Sequence, residues 1–336
     1  MAVINLSAET LTAGVAAALE RSGATSPTAQ SMASAVLAAE LDGIASHGLA
    51  YVPIYCQHVE CGKVNGQAKP DLKTIKPATA RVDADCGFAH PAIDLALPHL
   101  KTAAQQHGIA SVTIFNSYNC GVLGHHTERI AQSGLIGLGF TNAPASIAPV
   151  GGKRPVIGTN PYSLAIPDLA TGELRLLIDQ SASVVAKSEV SAHKRRNESL
   201  PPGWALDARG QPTTDPDEAL AGSMVPAGGA KGFNTGLMTE MLAAILAGAH
   251  LGIDASPFAG TQGGPPKTGQ CFIAIDPNAF GENQFAAQLN RLLDAVAAEP
   301  EVRIPGERRQ KNRQHFAQHG LRADSDLWKN ITMSNQ

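Results

Sequence analysis

Apolar residues at the start of the chain recur with helical spacing. Over 7–21, Leu11, Val15, Ala18 and Leu19 share one face, Ser7 is placed to cap the first turn and Gly23 ends the run. A second helix is expected over Ser26–Leu41 with Pro27 at its first position, and a third over 52–61, leading into a turn at 63–66. Near residue 74 the pattern changes. Short β-branched or apolar runs at 80–83, 110–116, 135–141, 174–179 and 271–275 read as strands. Helical stretches at 91–107, 122–133, 233–250 and 282–298 lie between and after them. Strands alternating with helices predict an α/β fold. Residues 193–217 are rich in proline, glycine and charge and are expected to form a long loop, a lid or a dimer contact. The chain beyond 310 reads as a charged tail, and no internal repeat is visible. Three parts follow: 1–73, helical; 74–275, α/β with the long loop; and 276–336, helical and returning to the first part.

The 336 residues suffice for a sizeable core, and a 43% apolar content places the chain with globular proteins. A formal charge of −3 supplies no basic field for a nucleic-acid backbone. Five scattered cysteines, an odd number without C-x-x-C spacing, argue against a disulfide framework or a zinc site. There is no secretory pattern and no apolar run approaching the ~20 residues that span a bilayer, so a reduced, cytoplasmic protein is expected.

The chemistry-bearing candidates are few. Ser46-His47-Gly48 follows the end of a predicted helix. An imidazole there, near its ordinary pKa of about 6.5, suits proton transfer, and Ser46 could orient it. A surface histidine beside a turn is the plainer alternative. Asp179 ends an apolar strand and precedes small polar residues, the place for a carboxylate that pairs with an imidazole or for a helix cap. Three glycine turns carry cations: Gly151-Gly152-Lys153, Gly228-Gly229-Ala230-Lys231-Gly232, and Gly306-Glu307-Arg308-Arg309. Backbone amides beside Lys or Arg suit a pyrophosphate, but none is a G-x-G-x-x-G after a strand, so a nucleotide site would not be of Rossmann type. Asn116–Gly121 lies at a strand–helix junction, and Gly158-Thr159-Asn160-Pro161 precedes an apolar run. The other histidines, His90, His125 and His126 among them, read as structural.

Together, and in this order, Ser46-His47-Gly48, Gly151-Gly152, Gly158–Pro161, Asp179, Pro212–Pro216, Gly228–Gly232 and Pro305-Gly306-Glu307 resemble the malate/L-lactate dehydrogenase type 2 family. The resemblance implies a non-Rossmann α/β fold, with a mixed-sheet cofactor domain beside a mainly helical one. It implies a homodimer that reduces a C=O or C=N bond next to a carboxylate with NADPH or NADH, with a lean to NADPH. His47 would be the proton donor, with Ser46 and Asp179 as its relay. Cofactor contacts would come from Asn119, Cys120, Gly121, Val122 and Leu123, from Ala230 and Lys231, and from Arg303, Gly306, Glu307, Arg308 and Arg309. Asp168 would choose between the two cofactors, and Thr159 would touch substrate. No metal is implied.

Two departures matter. Many family members have arginine where this chain has Tyr51, clamping the substrate carboxylate bidentately, and many have histidine at Asn119. Losing a fixed cation disfavours a dianion such as malate. The expected substrate is therefore a cyclic ketimine, Δ1-pyrroline-2-carboxylate or Δ1-piperideine-2-carboxylate, reduced to L-proline or L-pipecolate. A 2-hydroxyacid dehydrogenase of the same family is the alternative, and a non-catalytic nucleotide-binding protein is the rival of a different class.

Overall fold

The computed structural model describes residues 2–281 and 284–333. The elements run β1 (Val3–Leu6), α1 (Ala8–Arg21), α2 (Ser26–Leu41), α3 (Val52–Glu60), β2 (Asp71–Lys76), β3 (Thr79–Asp83), α4 (Ala89–His107), β4 (Ile109–Ser117), α5 (Leu123–Ala131), β5 (Ile136–Thr141), β6 (Tyr162–Pro167) and β7 (Leu174–Gln180). They continue with α6 (Lys187–Arg196), β8 (Ala205–Leu206), β9 (Pro212–Thr213), α7 (Pro216–Ala221), β10 (Ser223–Met224), α8 (Ala230–Glu240), β11 (Thr268–Ile275), α9 (Phe285–Ala297), α10 (Glu307–His319), β12 (Leu321–Asp324) and α11 (Ser325–Met333).

Seven strands form one mixed sheet in the order β2-β3-β4-β11-β5-β6-β7. Only β3 and β4, joined through α4, run parallel; the other neighbours are antiparallel. This is α/β without a Rossmann half, because the doubly wound fold needs successive parallel crossovers. α4 covers one part of the sheet, with Ile93, Leu97 and Leu100 sharing a core with Val82, Val112, Ile114 and Phe272. A second core is helical: Leu11, Val15 and Leu19 of α1 meet Met32 and Val36 of α2 and Tyr55 of α3. Ser7 and Thr25 cap α1 and α2 by accepting backbone N–H bonds.

The charged stretch beyond 310 is not a tail. It forms most of α10, then β12, which pairs antiparallel with β1 from Val3↔Asp324 to Leu6↔Leu321, and α11, which lies on α1. Trp328 of α11 approaches α1 so closely that a Cβ at Gly14 would sit 2.4 Å from its ring. The period-2 signal was too short in β1 and β12, and too exposed in β2, to mark them as strands.

The segment 193–217 is more ordered than a long loop. It holds the end of α6, β8, β9 and the start of α7, and β8 centres a three-stranded sheet, β10-β8-β9. Ile147, Val190, Leu200, Ala205, Ala219 and Met224 give it a core of its own. Its polar residues close turns: Asp207 accepts N–H bonds from Arg209 and Gln211, and Asp215 caps α7. The helix expected at 233–250 begins at Ala230 and widens into a π turn over Met241–Ile245. The late helix expected at 282–298 is α9; residues 282 and 283 lie outside the described residues. Among the described residues no helix is long and apolar enough to cross a membrane.

Candidate active site

His47 stands in a short 3-10 turn, Ala45–His47, that follows the C-terminus of α2. Its Nδ1 lies 3.0 Å from the Ser46 hydroxyl, as the motif implied; which atom donates depends on the tautomer. Glu40 of α2 fixes the next residues, its Oε1 accepting the Leu49 N–H at 2.7 Å. A Cβ at Gly48 would fall 2.0 Å from that oxygen, so a side chain there would displace Glu40 from the Leu49 N–H. The half-buried imidazole has its pKa lowered by burial; the Asp179 charge opposes this and the Arg309 charge adds to it.

Asp179, near the end of β7, comes close enough to act on His47 through its field, but its carboxylate bonds elsewhere. Oδ2 accepts from Arg309 Nη2 at 2.6 Å and from the Gly124 N–H at 3.0 Å. Arg309 also reaches Asp42 Oδ2 at 3.5 Å. Arg313, one helical turn on, donates to Asp42 at 2.6 Å and forks onto both oxygens of Glu128. Thus α10 ties together the end of α2, the start of α5 and the end of β7. A guanidinium thus stands on the carboxylate that was expected to act with Ser46 and His47. Arg309, expected beside a cofactor phosphate, is engaged by two carboxylates, the buried Asp42 and the half-buried Asp179. Asp42, Glu128 and Arg313 were missed altogether. The available signal was Arg309 and Arg313 spaced i,i+4 behind the left-handed Gly306 that precedes α10.

Beside His47 lies most of the chain's tyrosine. Tyr51 stacks on the imidazole, with rings 6.4 Å apart and 11° from parallel. Tyr55 meets Tyr51 edge-on at 4.7 Å and is followed by Phe88 and Tyr118. A cleft opens here, lined by Met32, Ala35 and Val36 of α2, His47, Tyr55, His90, Gly121, Val122 and His125. Burial lowers the pKa of His90 and takes that of His125 down to about 4, so both are neutral at ordinary pH.

The residues expected to hold cofactor divide. Gly121 and Val122 line the cleft, and Asn119 shapes their loop by accepting the Gly121 N–H at 3.1 Å. Cys120 and Leu123 face the core, so only their backbones are available. Burial pushes the Cys120 thiol up to about 12. The two other segments flank β7. The Leu177 N–H donates to the Pro305 carbonyl, while beyond Asp179 the Ala182 N–H donates to Thr159 and the Ala182 carbonyl accepts from Ala227. This places the Gly228–Lys231 turn, Thr159 and the 303–309 segment along one edge. Gly228 (φ +67°) and Gly229 (φ +65°) face open space before α8, whose first turn holds Ala230 and an exposed Lys231. A glycine turn open to solvent, a helix N-terminus and an ammonium fit a pyrophosphate. Arg303 and Arg308 are exposed, and Glu307 pairs with Lys311 at 3.8 Å.

Asp168 and Asn160 have polar side-chain atoms engaged within the fold. Asp168 sits at the far end of the β6–β7 hairpin, its carboxylate accepting the Ala170 and Thr171 N–H groups of its own turn. Asn160, held at φ +42°, is fully buried; its amide serves Ala143, Gly236 and Glu240, leaving nothing for a substrate.

Comparison with known proteins identifies the family. The sequence profile of the malate/L-lactate dehydrogenase family matches residues 6–332. The chain is 43% identical to a (2R)-3-sulfolactate dehydrogenase (NADP(+)) of Chromohalobacter salexigens, over 90% of this chain and 89% of that protein. It is 36% identical to a Δ1-pyrroline-2-carboxylate reductase of Ancylobacter novellus, over 89% and 88%. The crystal structure of Δ1-piperideine-2-carboxylate reductase from Pseudomonas syringae superposes with a TM-score of 0.92 at 30% identity, covering 98% of this chain and 99% of that one. The chain belongs to the malate/L-lactate dehydrogenase family and is an NAD(P)-dependent oxidoreductase.

Proposed function

We propose that this enzyme reduces a cyclic ketimine bearing one carboxylate, Δ1-pyrroline-2-carboxylate or Δ1-piperideine-2-carboxylate, to L-proline or L-pipecolate. The observation that carries the reading is the charge inventory beside His47. Position 51 is a tyrosine stacked on the imidazole, and the guanidinium that acts on His47, Arg309, is already held by Asp179 and Asp42. The neighbouring His90 and His125 are neutral. A substrate with two anionic groups needs more positive charge than this. A flat ring with one carboxylate can pack on Tyr51 and be held by neutral donors.

Bound NADPH or NADH supplies the hydride to C2. NADPH is favoured by the Chromohalobacter relative, which is named for NADP(+). Lys231 and the turn before it would hold the pyrophosphate, with Gly121 and Val122 beside the nicotinamide. His47 manages the proton on the substrate nitrogen. Ser46 sets the imidazole's orientation, and Asp179 favours its charged form. A cytoplasmic homodimer is part of the proposal; all five cysteines are free thiols.

A second reading, a 2-hydroxyacid dehydrogenase acting on a dianion such as 3-sulfolactate, is favoured by the 43% identity to that enzyme. Steady-state kcat/KM for Δ1-pyrroline-2-carboxylate, Δ1-piperideine-2-carboxylate, 3-sulfopyruvate, oxaloacetate and pyruvate, each with NADPH and NADH, separates the two. A dianion leading both imines would overturn the first reading.

A further inference from the structure

We propose that His90 binds the substrate, its imidazole donating a hydrogen bond to the carboxylate beside the reducible carbon while His47 handles the proton. The inference deepens the function proposed above and rests on it for the identity of the ring, but not for the carboxylate.

Three observations carry it. His90 is 3% exposed, yet its Nδ1 is buried without a partner. Its Nε2 points at the room Gly121 leaves by lacking a side chain: a Cβ there would sit 3.1 Å from Nε2 and 4.0 Å from the Tyr55 hydroxyl. That ring edge, Gly121 and Tyr55 line the same cleft as His47. The neighbouring buried histidines each hold at least one hydrogen bond, although His126 Nδ1 too has no partner. His126 Nε2 lies 2.9 Å from the Cys120 carbonyl, and His58 reaches Tyr118 and the Gly260 carbonyl. Neither ring nitrogen of His90 has a hydrogen bond within the described residues, and Nε2, the one beside Gly121, is the atom placed to donate into the cleft.

The cleft's position says what completes it. The glycine turns at 228–231 and 303–309 lie along β7, whereas the cleft shared by His90 and His47 is walled by residues of α2 and α3. With Tyr51 in place of a cation, the carboxylate must rely on neutral donors. His90 is one: burial and the charges of His125, Arg129 and His47 all lower its pKa, against the carboxylate of Asp94. Neutral donors suffice for one carboxylate and serve a second anionic group poorly.

The test compares His90→Leu, His90→Gln and His90→Asn in the full chain. KM and kcat are measured with Δ1-pyrroline-2-carboxylate and with pyruvate, the NADPH Kd by cofactor fluorescence, and the Kd of pyrrole-2-carboxylate by calorimetry. Losing a hydrogen bond to a charged group corresponds to roughly a 10–150-fold weakening. The expected result for His90→Leu is a KM and analogue Kd raised on that scale for both carboxylates, with the NADPH Kd and the pH limb of kcat unchanged. His90→Gln, which keeps a donor at similar reach, recovers most of the loss. If the Leu variant does not fold, the shorter Asn must show the same rise and Gln must not. An unchanged KM overturns the proposal. So does an NADPH Kd that rises in step with KM, which would give His90 to the cofactor or to the fold. The wild-type preference for imine over pyruvate tests the substrate reading separately, because His90 is predicted to matter for both.

Discussion

Arg309→Met should move the pH limb of catalysis upward and cost stability at the same time. In the reductive direction His47 must be protonated to give up its proton, so kcat/KM falls as pH rises through its pKa. Burial and Arg309 lower that pKa and Asp179 raises it. Removing the guanidinium deletes a lowering influence and frees Asp179, so the limb shifts to higher pH. Asp179→Asn does the reverse: it deletes the raising charge and leaves Arg309 acting alone, so the limb moves to lower pH. The Arg309–Asp179 pair, at 2.6 Å, is only 13% and 11% exposed. Breaking such a pair from one side costs about 3–5 kcal/mol, because a carboxylate is left in poor solvent. At an unfolding entropy of ~2.1 cal/mol/K per residue, that is a Tm drop of about 4–7 °C for this chain length. The double variant leaves no uncompensated charge at Asp179 and should recover much of the Tm. The assays are kcat/KM for imine reduction between about pH 5 and 9, and thermal melts of the four proteins. Limbs shifting in the same direction, or additive melts, would refute the coupling.

His47→Ala should lower reductive turnover roughly 10²–10⁴-fold, the size of a general-acid contribution, with the NADPH Kd unchanged in a fluorescence titration. Lys231→Ala should raise the KM for NADPH roughly 10–150-fold, the worth of a charge-assisted bond, and leave the substrate KM near its starting value. His125 and His126 are buried neutral in the fold and charge in the unfolded chain below about pH 6.5. Their contribution is complete above that pH and is lost as pH falls, toward about 4 for His125, by up to about 1.4 kcal/mol per pH unit for each histidine. Denaturant melts between pH 7 and 4.5 would show this as a falling midpoint. Glu240→Gln should destabilise the fold, because the buried carboxylate accepts from Asn142, Asn160 and the Gly252 N–H, and an amide NH₂ would face donors; the Tm reads it.

The elements read most readily from sequence have long periods and clear caps: α1 with Ser7, α2 with Pro27, and β4 with its β-branched run. Those it hid are short or set by partners far along the chain. β1 becomes a strand only because β12 returns to it, and four residues hold too little alternation to announce that. In the site, Ser46 and His47 are adjacent, so their contact was local and visible. The salt-bridge network is the opposite case: Asp42, Glu128, Asp179, Arg309 and Arg313 come from four separate elements. A charge on a polar helix looks the same whether it faces water or a buried carboxylate. His90 was read as structural because an unpaired nitrogen is a property of surroundings, which spacing along a chain does not encode.

The clasp between β1 and β12, with α10 beneath it, has a consequence for how the protein is made. Ribosomes produce the Ser46–His47 turn early, but its anchors, Arg309, Asn312 and Arg313, emerge more than 260 residues later. Until then α2 ends in a buried carboxylate without a counter-ion, and α1 lacks Trp328. The sheet from β2 to β11 can assemble in the meantime, since all its strands precede residue 276. A nascent chain released just after β11 would therefore be expected to have a formed sheet and an unset Ser46–His47 turn. On the proposed function, a chain interrupted before Arg309 is expected to show no reduction of its substrate, which a release experiment with cofactor and imine would read.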